Sequence, residues 1–339
     1  MTRWRRIRNR KMIKQIRQDI IDTLLASHQV LITAHKSPDG DSLGSQLGLA
    51  GFLAARNIPY LIVNDGIIPD KYRFLPGIET IRDVEDVPSP APAFDTAVVV
   101  ECSSFDRIGD VGGLINDRCR IINIDHHQDN VPFGKINLKD VGAAAAGEMI
   151  YDLLVQAAAR IDRDMATNLY TAILTDTGRF HYVSTTPYSL KVAAALLECG
   201  ADPVEITEKV YFNLKPQAVR LTGMAIANMR FLMGGRLCLL TVDKNMLTQS
   251  GAGWGDMEGL VNYSLYADGV RVGVLLTELD GAKTKVSLRS QNKIDVAAIA
   301  AHYGGGGHLN ASGCVVELPL EQARETIVAY IEEQLDGSV

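Results

Sequence analysis

From residue 29 to about residue 199, short apolar runs alternate with longer segments of helical period. Val30–Ala34, Tyr60–Val63, Thr96–Glu101 and Arg120–Ile124 read as strands, and Ser42–Arg56, Gly142–Ala159 and Asp164–Thr175 read as helices. Strands that alternate with helices imply βαβ units, hence an α/β fold with a mostly parallel, doubly wound sheet. Pro38 and Gly40 keep the first loop out of helix, and Asp41 or Ser42 can cap the helix that follows. Between Ala201 and about Gly235 the chain turns helical and more polar, with Pro203 and Pro216 near helix starts. The last third changes style. Strand-like runs at Leu237–Val242, Val270–Leu279, Thr284–Arg289 and Ser312–Leu318 surround helical stretches near Met257–Tyr266 and Asp295–Ala301, and a helix closes the chain. The expected organisation is a catalytic domain over residues 1–200, a helical connector over 201–235 and a smaller α+β domain over 236–339.

Composition narrows the setting. A chain of 339 residues with 47% hydrophobic and 22% charged residues is long enough for two ordinary globular domains. A net charge of −6 argues against a generalised nucleic-acid coat, although a local basic groove is compatible with it. Cys102, Cys119, Cys199, Cys238 and Cys314 are odd in number and lack CxxC spacing, which fits free thiols in a reducing cytoplasm. No apolar segment approaches the roughly 20 residues that span a bilayer. The first 17 residues carry eight basic side chains before the first acid, Asp19. A solvated helix start, an RNA-contacting arm and a transit peptide all fit that run.

The chemistry lies at the ends of the apolar runs. His35, Asp39 and Asp41 follow the first strand within seven residues, and Asp125, His126 and His127 follow another. Glu101 closes a third run, and Asp176 stands just beyond a helical stretch. Carboxyl ends of strands are where open α/β sheets bind ligands. A single Asp or His in such a place is commonly a cap. Together they supply enough oxygen and imidazole donors for a pair of divalent ions, and Mn²⁺ accepts both donor types.

These motifs resemble the DHH family of phosphoesterases: HxxxDxDxxGS at 35–45, DHH at 125–127 and DxG at 176–178. The last third is similar to the DHH-associated substrate domain, through Ser287-Leu288-Arg289-Ser290 and Gly304-Gly305-Gly306-Gly307-His308. The closest subgroup is the nano-RNases that also dephosphorylate 3′-phosphoadenosine 5′-phosphate. The resemblance implies one metal at His35, Asp39 and a bridging acid, and a second at Asp41, the same acid, His126 and Asp176. Glu101 would be that bridging acid, in a position where the family usually has Asp. Its extra methylene moves the carboxylate by roughly one C–C bond, ~1.5 Å. The resemblance gives His127 a catalytic place facing the scissile phosphate and Asp125 one orienting the histidines. The two divalent cations would be Mn²⁺, with Mg²⁺ or Co²⁺ as alternatives.

In the distal domain, consecutive glycines let backbone amides approach an anion and can form a nest around phosphate. Gly305, Gly306 and Gly307, with Arg289 and His308, would clamp a terminal phosphate. The expected activity is hydrolysis of short single-stranded RNA, down to dinucleotides, and of small phosphorylated nucleotides. Alternatives are a phosphodiesterase acting on cyclic or linear signalling dinucleotides, and a nucleotide-binding regulatory module weakened through Glu101. Partners beyond these substrates are not expected at a membrane, and exposed strands or helices could support a homodimer.

Overall fold

Runs such as Val30-Leu31-Ile32-Thr33 and Thr96-Ala97-Val98-Val99-Val100 have no polar alternation because both faces of their strands are covered. The structure is a computed structural model that describes residues 3–257, 259–291 and 294–336. It divides into two units, one up to Asn213 and one from Leu214 onward.

In the first unit, β1 (Val30–Thr33), β2 (Tyr60–Asn64), β3 (Ile81–Asp83), β4 (Thr96–Val100), β5 (Arg120–Asp125) and β6 (Ile136–Lys139) form one sheet. Their order is β3-β2-β1-β4-β5-β6, and every pair is parallel. Winding reverses between β1 and β4, and the crevice outside the strands' carboxyl ends at such a reversal is the usual ligand site of these folds. The helices are α1 (Arg3–Leu25), α2 (Gly40–Ala54), α3 (Ala146–Gln156), α4 (Arg163–Asp176), α5 (Pro187–Glu198) and α6 (Pro203–Tyr211). The last turns of α1 bury Ile20, Ile21 and Leu24, and Arg17 ion-pairs with Asp152 of α3.

Helices α2 and α4 approach each other along a glycine stripe. A Cβ on Gly44 would stand 2.3 Å from the Asn168 carbonyl oxygen, one on Gly48 2.6 Å from Leu169, and one on Gly51 2.5 Å from Met165. Spacing of three or four residues puts these glycines on one face. Their lack of side chains lets the first turn of α2 and the last turn of α4 share a site.

The second unit holds α7 (Pro216–Ala227), β7 (Arg230–Leu232), β8 (Leu237–Val242), α8 (Lys244–Ser250), β9 (Val272–Glu278), β10 (Thr284–Ser290), α9 (Val296–His302), β11 (Gly306–His308), β12 (Ala311–Val316) and α10 (Leu320–Asp336). Its sheet runs β11-β12-β10-β9-β8-β7, with only β8 and β9 parallel. One core gathers Val272, Val274, Val286 and Leu288 with Ile299, Ile327 and Ile331 of α9 and α10. Another gathers Leu240 and Leu275 with Leu221, Ala225 and Leu260. Among the described residues, no helix is long and apolar enough to cross a membrane.

Several local expectations change. The helix expected over Gly142–Ala159 begins only at Ala146, after a turn. The pattern near Met257–Tyr266 forms 3-10 turns over Leu260–Leu265. The glycine run is not an open nest throughout, because Gly306–His308 pair with β12 as an edge strand. A Cβ on Gly305 would stand 2.2 Å from the Gly313 carbonyl oxygen, so the run is glycine partly to let two backbones meet.

Candidate active site

Strand ends and helix ends converge at the reversal of the sheet. His35 follows β1, Glu101 follows β4, Asp125 ends β5, and His126 and His127 continue from it. Asp41 lies in the first turn of α2 and Asp176 ends α4.

The loop after β1 is fixed by its own polar groups. Asp39, rather than Asp41 or Ser42, caps α2: its Oδ1 accepts the Ser42 amide at 3.0 Å, and Ser42 Oγ accepts the Asp39 amide at 2.8 Å. His35 Nδ1 lies 2.9 Å from the Lys36 carbonyl, which makes Nδ1 the protonated nitrogen and leaves the lone pair on Nε2. That Nε2 is 3.9 Å from Asp39 Oδ1.

Asp41 turns away from its own helix. Its Oδ2 accepts the Ala146 amide at 2.6 Å, and its Oδ1 accepts the Gly147 amide at 2.9 Å and the Ser45 hydroxyl at 3.0 Å. It therefore caps α3, whose own preceding residue, Ala145, has no side chain able to do so. Burial pushes the Asp41 carboxyl above its ordinary range, and the His126 charge opposes that rise.

Glu101 is buried with a left-handed φ of 53°, a conformation that a non-glycine residue holds only when its surroundings demand it. Its amide still bonds the Ile124 carbonyl at 3.0 Å, so the strand pairing continues while the side chain swings across the strand ends. Oε2 lies 3.3 Å from His126 Nε2 yet accepts no well-formed hydrogen bond among the described residues. Burial drives the Glu101 carboxyl well above its usual range, with His126 opposing.

His126 is the hub. Its Nδ1 is 3.3 Å from the Ala143 carbonyl, and its Nε2 is 3.3 Å from Glu101 Oε2, 3.4 Å from Asp176 Oδ2 and 3.8 Å from Asp41 Oδ2. Burial alone would depress this imidazole, but Glu101, Asp176 and Asp41 hold it well above its normal value. Burial raises Asp176 to about 8 despite the same histidine. Next to it, His127 Nδ1 lies 2.7 Å from Asp125 Oδ1. Burial works to raise Asp125, but the bond and charge of His127 outweigh it and keep the carboxyl below its ordinary value.

Two groups of donor atoms lie within 4.8 Å of one another among the described residues: Asp41–His126–Asp176 and Glu101–His126–His127. His35 and Asp39 form a looser pair beside them and join neither group. In the second group, His127 Nδ1 is already committed to Asp125, so its ligand capacity would lie on Nε2. The buried carboxylates of Asp41 and Glu101 and the partly buried one of Asp176 share the charge of one imidazole, and Glu101 Oε2 lacks a donor among the described residues. That is the environment a hard divalent cation satisfies.

Arg289, Gly305, Gly306, Gly307 and His308 belong to the second unit. Arg289 Nε donates to Asn262 Oδ1 at 3.0 Å and its NH1 group to the Leu288 carbonyl at 2.9 Å. Gly307 has φ 140° and, with Gly306 and His308, lies on the edge strand β11. Reading the sequence missed Asn130, which bonds Asp125 Oδ2 at 2.7 Å. The stripe Gly44, Gly48 and Gly51 also went unread, although its i, i+4, i+7 spacing is a signal that could have revealed it.

Comparison with known proteins places the arrangement. Residues 29–173 match the DHH family N-terminal domain and residues 235–337 the DHHA1 domain. The chain is 35% identical over 308 residues to the bifunctional oligoribonuclease and PAP phosphatase NrnA of Thermus thermophilus, covering 90% of each. It is 26% identical over 306 residues to the protein of the same name from Bacillus subtilis, covering 89% of this chain and 93% of that one. The crystal structure of an exopolyphosphatase-related protein from Bacteroides fragilis superposes with a TM-score of 0.89 at 28% identity, over 94% of this chain and 96% of that one. The chain belongs to the DHH family, with a DHH N-terminal domain followed by a DHHA1 domain.

Proposed function

We propose that this protein is a phosphodiesterase and phosphatase using two divalent cations, which hydrolyses very short oligoribonucleotides and releases phosphate from 3′-phosphoadenosine 5′-phosphate. One observation carries the chemistry: the carboxylates of Glu101, Asp41 and Asp176 converge on the single imidazole of His126. The names of the relatives that match nearly the whole chain support the substrates.

Asp41, Glu101, His126 and Asp176 would hold one ion, and His35 and Asp39, with Glu101, the other. When bound, the ions supply positive charge at the phosphoryl oxygens and lower the pKa of the attacking water. Mixed imidazole and carboxylate donors favour Mn²⁺ over Mg²⁺. Ala143 orients His126 through Nδ1, and Asp125 orients His127 in the same way, so His127 Nε2 is the nitrogen able to accept or give a proton at the phosphate or leaving oxygen. In the DHHA1 domain, Arg289, preset by Asn262, and the segment Gly305–His308 would hold a terminal phosphate. The free cysteines fit a cytoplasmic setting.

The test is hydrolysis of a 5′-phosphorylated dinucleotide and of 3′-phosphoadenosine 5′-phosphate with Mn²⁺, Mg²⁺, Co²⁺ or excess chelator, beside a double variant carrying Asp39→Asn and His126→Ala. Metal-dependent release of mononucleotide and phosphate, lost in the variant, is expected. Nucleotide binding without turnover under any of the ions would overturn the assignment.

A further inference from the structure

Behind Asp125 lies a buried amide that the reaction scheme above does not use. Asn130 sits on the loop after the histidines, only 5% exposed. Its Nδ2 faces three acceptors: Asp125 Oδ2 at 2.7 Å, Asn123 Oδ1 at 2.9 Å and the Cys102 carbonyl at 3.1 Å. Turning the amide over would set its oxygen against three oxygens, so the orientation is dictated by the neighbours. Its own Oδ1 is buried without a hydrogen-bond partner. A buried amide that leaves its acceptor unsatisfied is destabilising by itself. The donor end is therefore what this position requires.

The contacts of Asn130 join two strand ends. Cys102 directly follows Glu101 after β4, and Asn123 and Asp125 belong to β5. Asn123 reinforces the link, its Nδ2 donating to the same Cys102 carbonyl at 3.0 Å. The loop is anchored in turn: the Val131 amide bonds the Ser103 carbonyl at 2.9 Å, and Lys139 Nζ of β6 bonds the Asn130 carbonyl at 2.9 Å. Asp125 thus receives one donor on each oxygen, His127 on Oδ1 and Asn130 on Oδ2. With Oδ2 held, the carboxylate cannot rotate away from the imidazole.

We infer that Asn130 is a positioning residue for the reaction, acting through Asp125 to fix the orientation and the Nδ1–H tautomer of His127. This rests on the phosphohydrolase reading of the site, but its geometry does not need the metals. Asn130 touches none of Asp41, His126 and Asp176 among the hydrogen bonds described. Its loss should spare metal binding and substrate affinity and reduce the rate of the chemical step.

The experiment uses the full-length protein loaded with Mn²⁺, the 5′-phosphorylated dinucleotide as substrate, and the variants Asn130→Ala, Asn130→Ser, His127→Ala and the Asn130→Ala/His127→Ala pair. A positioning residue behind an active-site histidine is worth about 10- to 100-fold. Asn130→Ala should lose about that much kcat with KM and bound Mn²⁺ unchanged, and Asn130→Ser, which keeps a short donor, should recover part of it. In the His127→Ala background the same change should cost nothing further. A full multiplicative loss in the double variant, or an unaltered kcat in the single one, would overturn the inference. A second readout is independent of turnover and of the proposed substrates. Long-range ¹H–¹⁵N spectra of histidine-labelled, metal-free protein should show His127 as the Nδ1–H tautomer in the parent and as a mixture in Asn130→Ser. A parent already mixed, or a variant unaltered, contradicts the inference even if no hydrolysis is found.

Discussion

The carboxylate of Asp41 receives the backbone amide of Ala146 at 2.6 Å across 105 residues of sequence. A candidate metal ligand is thereby also the cap of a helix belonging to another part of the chain. Asp41→Ala should leave two amides at the start of α3 without acceptors, and Asp41→Asn should keep one acceptor. In chelator-treated protein, urea denaturation should show the alanine variant destabilised by about 1–2 kcal/mol, with the asparagine variant between it and the parent. Equal stabilities for all three would mean that the cap contributes nothing.

Gly44 sets the distance between the two helices that carry Asp41 and Asp176. A methyl group there would meet a backbone carbonyl at 2.3 Å, and that oxygen cannot rotate away as a flexible side chain would. Gly44→Ala should cost about 1–3 kcal/mol through overpacking and reduce activity by shifting Asp41 against Asp176. Gly113→Ala, with nothing within 4 Å of the added carbon, is the control and should behave as the parent in both assays.

Which parts of this arrangement the sequence made legible follows from range. His35, Asp39, Asp41 and Asp125-His126-His127 were readable because each group immediately follows an apolar run, so local order alone puts it at a strand's carboxyl end. The position of β4 beside β1 was not readable, since no run states its neighbour. Strands β3 and β7 have three residues each, too short for a period to register. No local pattern marks Asn130, because only the fold sets Cys102 and Asn123 against it. Nor could any local pattern show that Asp41, rather than a residue of its own segment, begins α3. The glycines before His308 were legible as a motif, whereas the pairing of Gly306–His308 with β12 depends on a contact made by tertiary structure.

Glu148 gives the stability a distinctive pH dependence. Burial raises this carboxyl in α3 to about 7 from 4.5, against a bond from the Ala144 amide that lowers it. The folded protein then holds a proton that the unfolded chain has released. Stability attributable to this group is full below about pH 4.5, falls as pH rises, and levels off above about pH 7. Glu148→Gln keeps an acceptor for the amide and has no proton to lose. Relative to the parent it should gain up to about 3 kcal/mol between pH 4 and pH 8, read from denaturation midpoints at both values. Parallel pH profiles would show that Glu148 titrates normally.

The two histidines of the motif should separate into different phenotypes despite being adjacent. His126 points its Nε2 at three carboxylates, whereas His127 binds Asp125 through Nδ1. Removing His126 takes a nitrogen donor from the centre of the acidic cluster, so His126→Ala should emerge from dialysis with less bound metal and without measurable turnover. Removing His127 leaves Asp41, Glu101, His126 and Asp176 in place. His127→Ala should retain its metal while kcat falls by about 10²- to 10⁴-fold, the range for losing a general acid or base. Elemental analysis beside kcat distinguishes the cases: metal lost equally from both variants would make His127 a ligand, and turnover retained by His127→Ala would remove it from the reaction.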